Sequence, residues 1–157
     1  MQSPPATSRV FRTILTAWLV VGVLDISSAI VIWCVRGVGV TRGLQGIASA
    51  LLGQKSNQGG FATVCFGLAI HFFIALCVVT TFFLVSRKIR SLTNHAIVSG
   101  IAYGIGVYLL MYWLVLPLAF PTFRHRIGND ALAIAIHICL IGLPTALIVR
   151  RYSQPHE

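Results

Sequence analysis

Residues 59–85 read GGFATVCFGLAIHFFIALCVVTTFFLV. The run is apolar from end to end, carries no formal charge, and holds one histidine, His71, near its middle. As a helix it rises about 40 Å, enough to cross a hydrocarbon core roughly 30 Å thick. Three further runs of this kind stand in the chain, and each holds a polar or ionisable side chain near mid-depth. The composition agrees. Of 157 residues, 57% are hydrophobic and 10% charged, where a soluble domain carries about 25% charged residues; mean hydropathy is +0.87. The fold expected is all-α: a polytopic membrane protein, one bundle of four transmembrane helices.

The net charge of +9 does not point to nucleic acid. The twelve Lys and Arg gather in small groups at the ends of the apolar runs, as membrane proteins anchor and orient their helices. Such a chain also attracts anionic lipid head groups. The expected surroundings are a lipid bilayer, with no nucleic-acid partner.

Before the first run, residues 1–11 are polar and proline-containing, and are expected to form a disordered tail. The first span is placed at about 12–35. It is longer than a signal-peptide core and runs past Ser27-Ser28-Ala29, so it reads as an uncleaved helix. Between spans one and two, Leu44, Ile47, Ala48, Leu51 and Leu52 recur at helical spacing. They predict a short amphipathic helix over about 41–53, lying in the interface or folded over the bundle mouth. Thr41 is its candidate N-cap and Gly53 its candidate stop. The remaining spans are placed at about 60–86, 96–120 and 130–149, within one domain over 12–151 and followed by a tail at 152–157. Span three carries Gly100 and Gly104 at GxxxG spacing, which lets another helix approach closely and offers one route to a homo-oligomer. Span four contains Pro144, whose freed carbonyl a neighbouring helix can satisfy.

Seven cations (Arg9, Arg12, Arg87, Lys88, Arg90, Arg150, Arg151) stand on one face and five (Arg36, Arg42, Lys55, Arg124, Arg126) on the other. The excess predicts both termini on the cytoplasmic side. Cys34, Cys65, Cys77 and Cys139 have no CxxC spacing and read as buried small apolar residues.

An ionised aspartate at a helix centre costs about 2.5–3.5 kcal/mol on insertion scales. Asp25 is therefore expected to face the bundle interior and pair, or to stay protonated. Antiparallel threading puts Asp25, His71, Tyr108 and His137 at similar depths, so each helix is able to aim one of them at a shared axis. These four are the ligand- or proton-binding candidates. The set suits a proton relay or a small polar ligand, since histidine titrates near neutral pH. It also suits haem with His71 and His137 as axial ligands, or a metal on the same two histidines helped by Asp25 or a cysteine. The plainer alternative is a set of separate hydrogen bonds that fix helix packing. No GxSxG, P-loop or carboxylate cluster is present, and only three residues are acidic. The reading is of a non-enzymatic membrane protein.

Leu44 to Gly53, then Gly59-Gly60 and His71 to Ala75, resemble a group of small bacterial inner-membrane proteins of unknown function with four transmembrane helices. Val115-Leu116-Pro117-Leu118, His137 and Gly142-Leu143-Pro144 resemble later landmarks of that group. The resemblance covers Asp25 to Arg151 and implies the four-helix fold in a bacterial inner membrane, with no particular reaction.

Overall fold

The structure is a computed structural model and describes residues 6–120, 123, 128 and 130–153. The first five residues, the loop cations Arg124, His125 and Arg126, and the tail after 153 lie outside the described residues. Five helices are used below: α1 (Ala6–Val35), α2 (Val40–Leu52), α3 (Gly60–Lys88), α4 (Ala96–Ala119) and α5 (Asp130–Tyr152). A 3-10 stretch, Gly53–Gln58, joins α2 to α3, and a single helical turn, Ser91–Asn94, joins α3 to α4. Among the described residues there is no strand. Four helices, α1, α3, α4 and α5, are long and apolar enough to cross a membrane. The chain is an all-α bundle of the multi-pass membrane type.

Its surface supports that reading. Val31, Phe73, Val98, Trp113, Leu118 and Leu132 are all more than half exposed, far beyond the scattered apolar residues of a water-facing protein. The four cysteines are exposed as well. The expectation that they are buried is corrected: on a membrane helix a small apolar side chain is equally at home against lipid.

The bundle is closed at the end that holds the termini. Ala17, Val21, Val79, Val107 and Ile141 form one buried cluster, and Phe82, Phe83, Ala96, Ala146 and Val149 form a second. Val10 and Ile14 pack on the second cluster. That contact explains why α1 begins at Ala6, where residues up to 11 were expected in a tail. Val10 has a core to bury into, and the extra turns carry it there.

α4 and α5 meet through glycine. A Cβ at Gly104 would stand 2.6 Å from Ile138 Cα and 2.7 Å from the His137 carbonyl oxygen; one at Gly100 would stand 3.0 Å from the Gly142 carbonyl oxygen. The close approach that GxxxG permits is thus made within the chain, against α5. Gly100 and Gly104 are buried and face α5.

Both helices also widen. Leu110–Val115 of α4 and His137–Gly142 of α5 are π-helical. Each ends just before a Leu-Pro pair, Leu116-Pro117 and Leu143-Pro144. A proline ring collides with the carbonyl four residues back and offers it no N–H. One wide turn upstream relieves the collision, and such turns often mark functional sites.

α2 is set by glycines at its ends. Gly37, Gly39, Gly53 and Gly60 all have positive φ, a conformation that costs other residues more. Gly39 occupies the N-cap without a side-chain bond, and Thr41 lies inside the helix; the expected Thr41 cap is replaced by a backbone turn. α2 packs on α3 where Gly67 leaves room for the backbone of Leu44 and Ala48. Buried Gln45 donates to the Gly60 carbonyl (3.3 Å), and Ser56 donates to the Gln45 carbonyl (3.0 Å). The middle of α2 is thereby tied to the 3-10 stretch and to the start of α3.

Candidate functional site

Trp18, Gly22 and Asp25 fall on one face of α1 by their spacing of four and three. That face meets α3 in two reciprocal bonds. Trp18 Nε1 donates to the Phe72 carbonyl at 2.7 Å, and His71 Nε2 lies 3.0 Å from the Gly22 carbonyl. Gly22 is the residue that permits this, since a Cβ there would stand 2.5 Å from the Phe72 ring. Farther down, Tyr103 of α4 donates to the Val78 carbonyl of α3 at 2.6 Å. A carbonyl has two lone pairs, so each takes the extra bond without leaving its helix ladder.

The bond to Gly22 settles the protonation of one ring nitrogen. A carbonyl only accepts, so His71 Nε2 carries a hydrogen. His71 Nδ1 then faces Asp25 Oδ2 at 3.9 Å, an ion-pair distance beyond hydrogen-bond range. A single further proton decides the state of this pair. On Nδ1 it makes imidazolium and carboxylate; on Asp25 it leaves both groups neutral. The His71 side chain is 11% exposed and that of Asp25 30%.

His137 is treated alike by α5. Its Nδ1 lies 2.8 Å from the Ala133 carbonyl one turn back. That nitrogen is therefore the donor, and Nε2 is left able to accept. The ring stands nearly perpendicular to Tyr108 and Tyr112, with centroids 5.8 and 6.0 Å away. Tyr108 and Tyr112 are 4.9 Å apart.

Asp25, His71 and His137 line one cavity of about 610 Å³, within the range of small-molecule sites. Val21, Val78, Val107 and Ile141 form its floor, on top of the packed end of the bundle. Asp25, His71 and His137 form a polar belt above the floor. Arg36, Arg42 and Trp33 stand at the other end, with Phe120 and Phe123 opposite. Val21 to Arg36 is fifteen residues of α1 and its end, a depth of about 22 Å at helical rise. One face of α2, through Gly43, Gly46, Ile47 and Ala50, forms a side wall. The short helix thus lies against the mouth.

The four residues picked from the sequence are divided by the structure. Asp25 and His71 face each other, and His137 lines the same cavity. Tyr108 is buried behind His137, holding its ring. Sequence reasoning passed over Trp18 and Gly22, although Trp18-x3-Gly22-x2-Asp25 was a readable helical face. It counted Arg36 and Arg42 only for topology.

The donor set does not fit a haem held by both histidines. His71 has Nε2 committed to Gly22 and Nδ1 turned to Asp25. Only Nε2 of His137 is open, and one open nitrogen is not an axial pair. Among the described residues no group of three or more His, Cys, Asp or Glu is placed to hold a metal ion.

Comparison with models of protein families, with curated proteins and with solved structures finds no match. The four long apolar helices are those of a small multi-pass membrane protein, and no comparison places the chain in a family.

Proposed function

We propose that this protein is a non-enzymatic, multi-pass protein of a bacterial inner (plasma) membrane that binds a small ligand in the four-helix cavity. The Asp25–His71 pair holds one exchangeable proton beside that ligand. The observation that carries the reading is the 3.9 Å Asp25–His71 contact on the wall of a cavity closed at one end. Ionisable groups at mid-depth are costly and tend to face interiors or pathways. With both termini cytoplasmic, as the seven-to-five excess of cations favours, the mouth opens outward.

The pair is suited to proton exchange. Its proton moves between two groups without any change in net charge. Ligand entry dries the cavity and favours the neutral arrangement, because burial penalises separated charges. Occupancy and proton position are then linked, whichever way the proton leaves.

Infrared difference spectroscopy across a pH step tests this in detergent. A protonated carboxyl band that titrates, disappears in Asp25→Asn and moves in His71→Gln is the expected result. The absence of any titrating band assignable to Asp25 sinks the proposal and leaves the pair as a strut between α1 and α3.

A further inference from the structure

We infer that the ligand of this cavity is a single-chain amphiphile with an anionic head, the head held by Arg36 and Arg42 and the chain in the apolar space below. The inference rests on the cavity being a binding site and goes on to name what binds.

Three observations converge. The first is charge. Arg36 and Arg42 are both exposed and both line the mouth. Among the described residues neither guanidinium pairs with a carboxylate. The chain has only three acidic residues against twelve Lys and Arg. Two guanidinium groups without carboxylate partners are suited to a carboxylate or phosphate head, which they hold by short charge-assisted bonds. Among the described residues Asp25 is the one carboxylate on the cavity wall. It disfavours an anion at the belt and so keeps the head at the mouth.

The second is the wall. Between mouth and floor the lining is mostly aliphatic, with Ile47, Ile74, Met111, Val115 and Leu116 among it. The polar belt of Asp25, His71 and His137 interrupts it only just above the floor. A depth of about 22 Å by helical rise exceeds the roughly 15 Å of one leaflet's hydrocarbon. It takes a full-length chain and leaves the head outside.

The third is position. Trp33 lies three residues before Arg36 and lines the mouth beside it. Tryptophan sits at head-group depth in membrane proteins. The two arginines are thus at the level where an amphiphile already resting in the bilayer presents its head. No passage through water is needed for entry.

The test measures saturable binding of radiolabelled hexadecanoate to the protein in phosphatidylcholine nanodiscs. Three variants are compared with the native chain: Arg36→Gln, Arg42→Gln and Gly46→Leu. Gly46 lines the cavity, and a Cβ there meets no atom within 4 Å. Leucine therefore enters the space without displacing backbone. The expected results are one site per chain, a Kd raised about tenfold or more by either arginine variant, and loss of binding in Gly46→Leu. Unlabelled hexadecanoate should compete, and hexadecyltrimethylammonium, with the same chain and the opposite charge, should not.

Each other outcome overturns a distinct part. Equal competition by hexadecanol, with binding unchanged in both arginine variants, removes the anionic head and leaves the cavity as a binding site. Stronger competition by phosphatidylglycerol than by hexadecanoate makes the occupant a two-chain lipid. Unchanged binding in Gly46→Leu puts the site elsewhere. No saturable binding of any of these probes overturns the inference. The infrared result for Asp25 stands or falls separately.

Discussion

Gly142 sits where α5 lies against α4, and Gly142→Ala is the most direct test of that junction. A Cβ built there meets the Gly100 carbonyl oxygen, and stands 2.7 Å from Gly104 N and 2.8 Å from Gly104 Cα. All three atoms belong to helical backbone and have no rotamer to escape into. Ordinary contact requires about 3.5–4.0 Å, so the helices must part by about 1 Å, and a gap of 0.5–1 Å forfeits about a quarter to a half of each dispersion contact. Dispersion is a main attraction between helices in lipid. Overpacking typically costs about 1–3 kcal/mol, and backbone against backbone places this change at the upper end. For a chain of this size 1 kcal/mol corresponds to about 2–4 °C in Tm, so a fall of about 5–10 °C is expected. Thermal melts by circular dichroism in one detergent measure it. Gly106→Ala is the control: it lies in α4, the helix that faces Gly142, and meets no atom within 4 Å. Its Tm should hold or rise slightly, since alanine favours helix over glycine by up to about 1 kcal/mol. If Gly142→Ala melts together with Gly106→Ala, the reasoning fails. If Gly104→Ala instead halves the mass of the particle in light scattering without lowering the Tm of the chain, the glycine pair serves an oligomer after all.

Two smaller changes probe the rest of the framework. Tyr103→Phe removes the bond to Val78 while keeping the ring beside Phe82, 5.0 Å away; a loss of about 0.6 kcal/mol, at most about 1.7, is expected from interhelical bonds in membranes, seen as a Tm lower by a few degrees. Ser56→Ala frees the Gln45 carbonyl at a cost of about 1 kcal/mol, and hydrogen exchange should quicken over residues 45–63 while α4 and α5 stay protected; equal quickening throughout would show that α2 is not a separately anchored element.

How far the sequence could be read follows from the solvent. In water, apolar residues report what is buried. In lipid they report only that a helix spans, because the outside is as apolar as the core. Hence the four spans were legible from residue type alone, while the rotation of each helix was not, and the four cysteines were placed on the wrong side of the surface. The signals that do survive in lipid are small residues and polar ones. Gly100 and Gly104 were recognised as a packing face, but nothing in their spacing says whether the partner is α5 or another chain; Gly142, which answers them, has no motif of its own. Asp25, His71 and His137 were recognised because a polar group in hydrocarbon is expensive, and the structure lines one cavity with all three. Arg36 and Arg42 carry the weaker signal of any cation at a helix end, which positions a helix whether or not it binds anything. What sets them apart is their place at the mouth of an apolar cavity, with no carboxylate partner among the described residues. That is a property of how α1, α2 and α4 together enclose the cavity, which no single stretch of sequence displays.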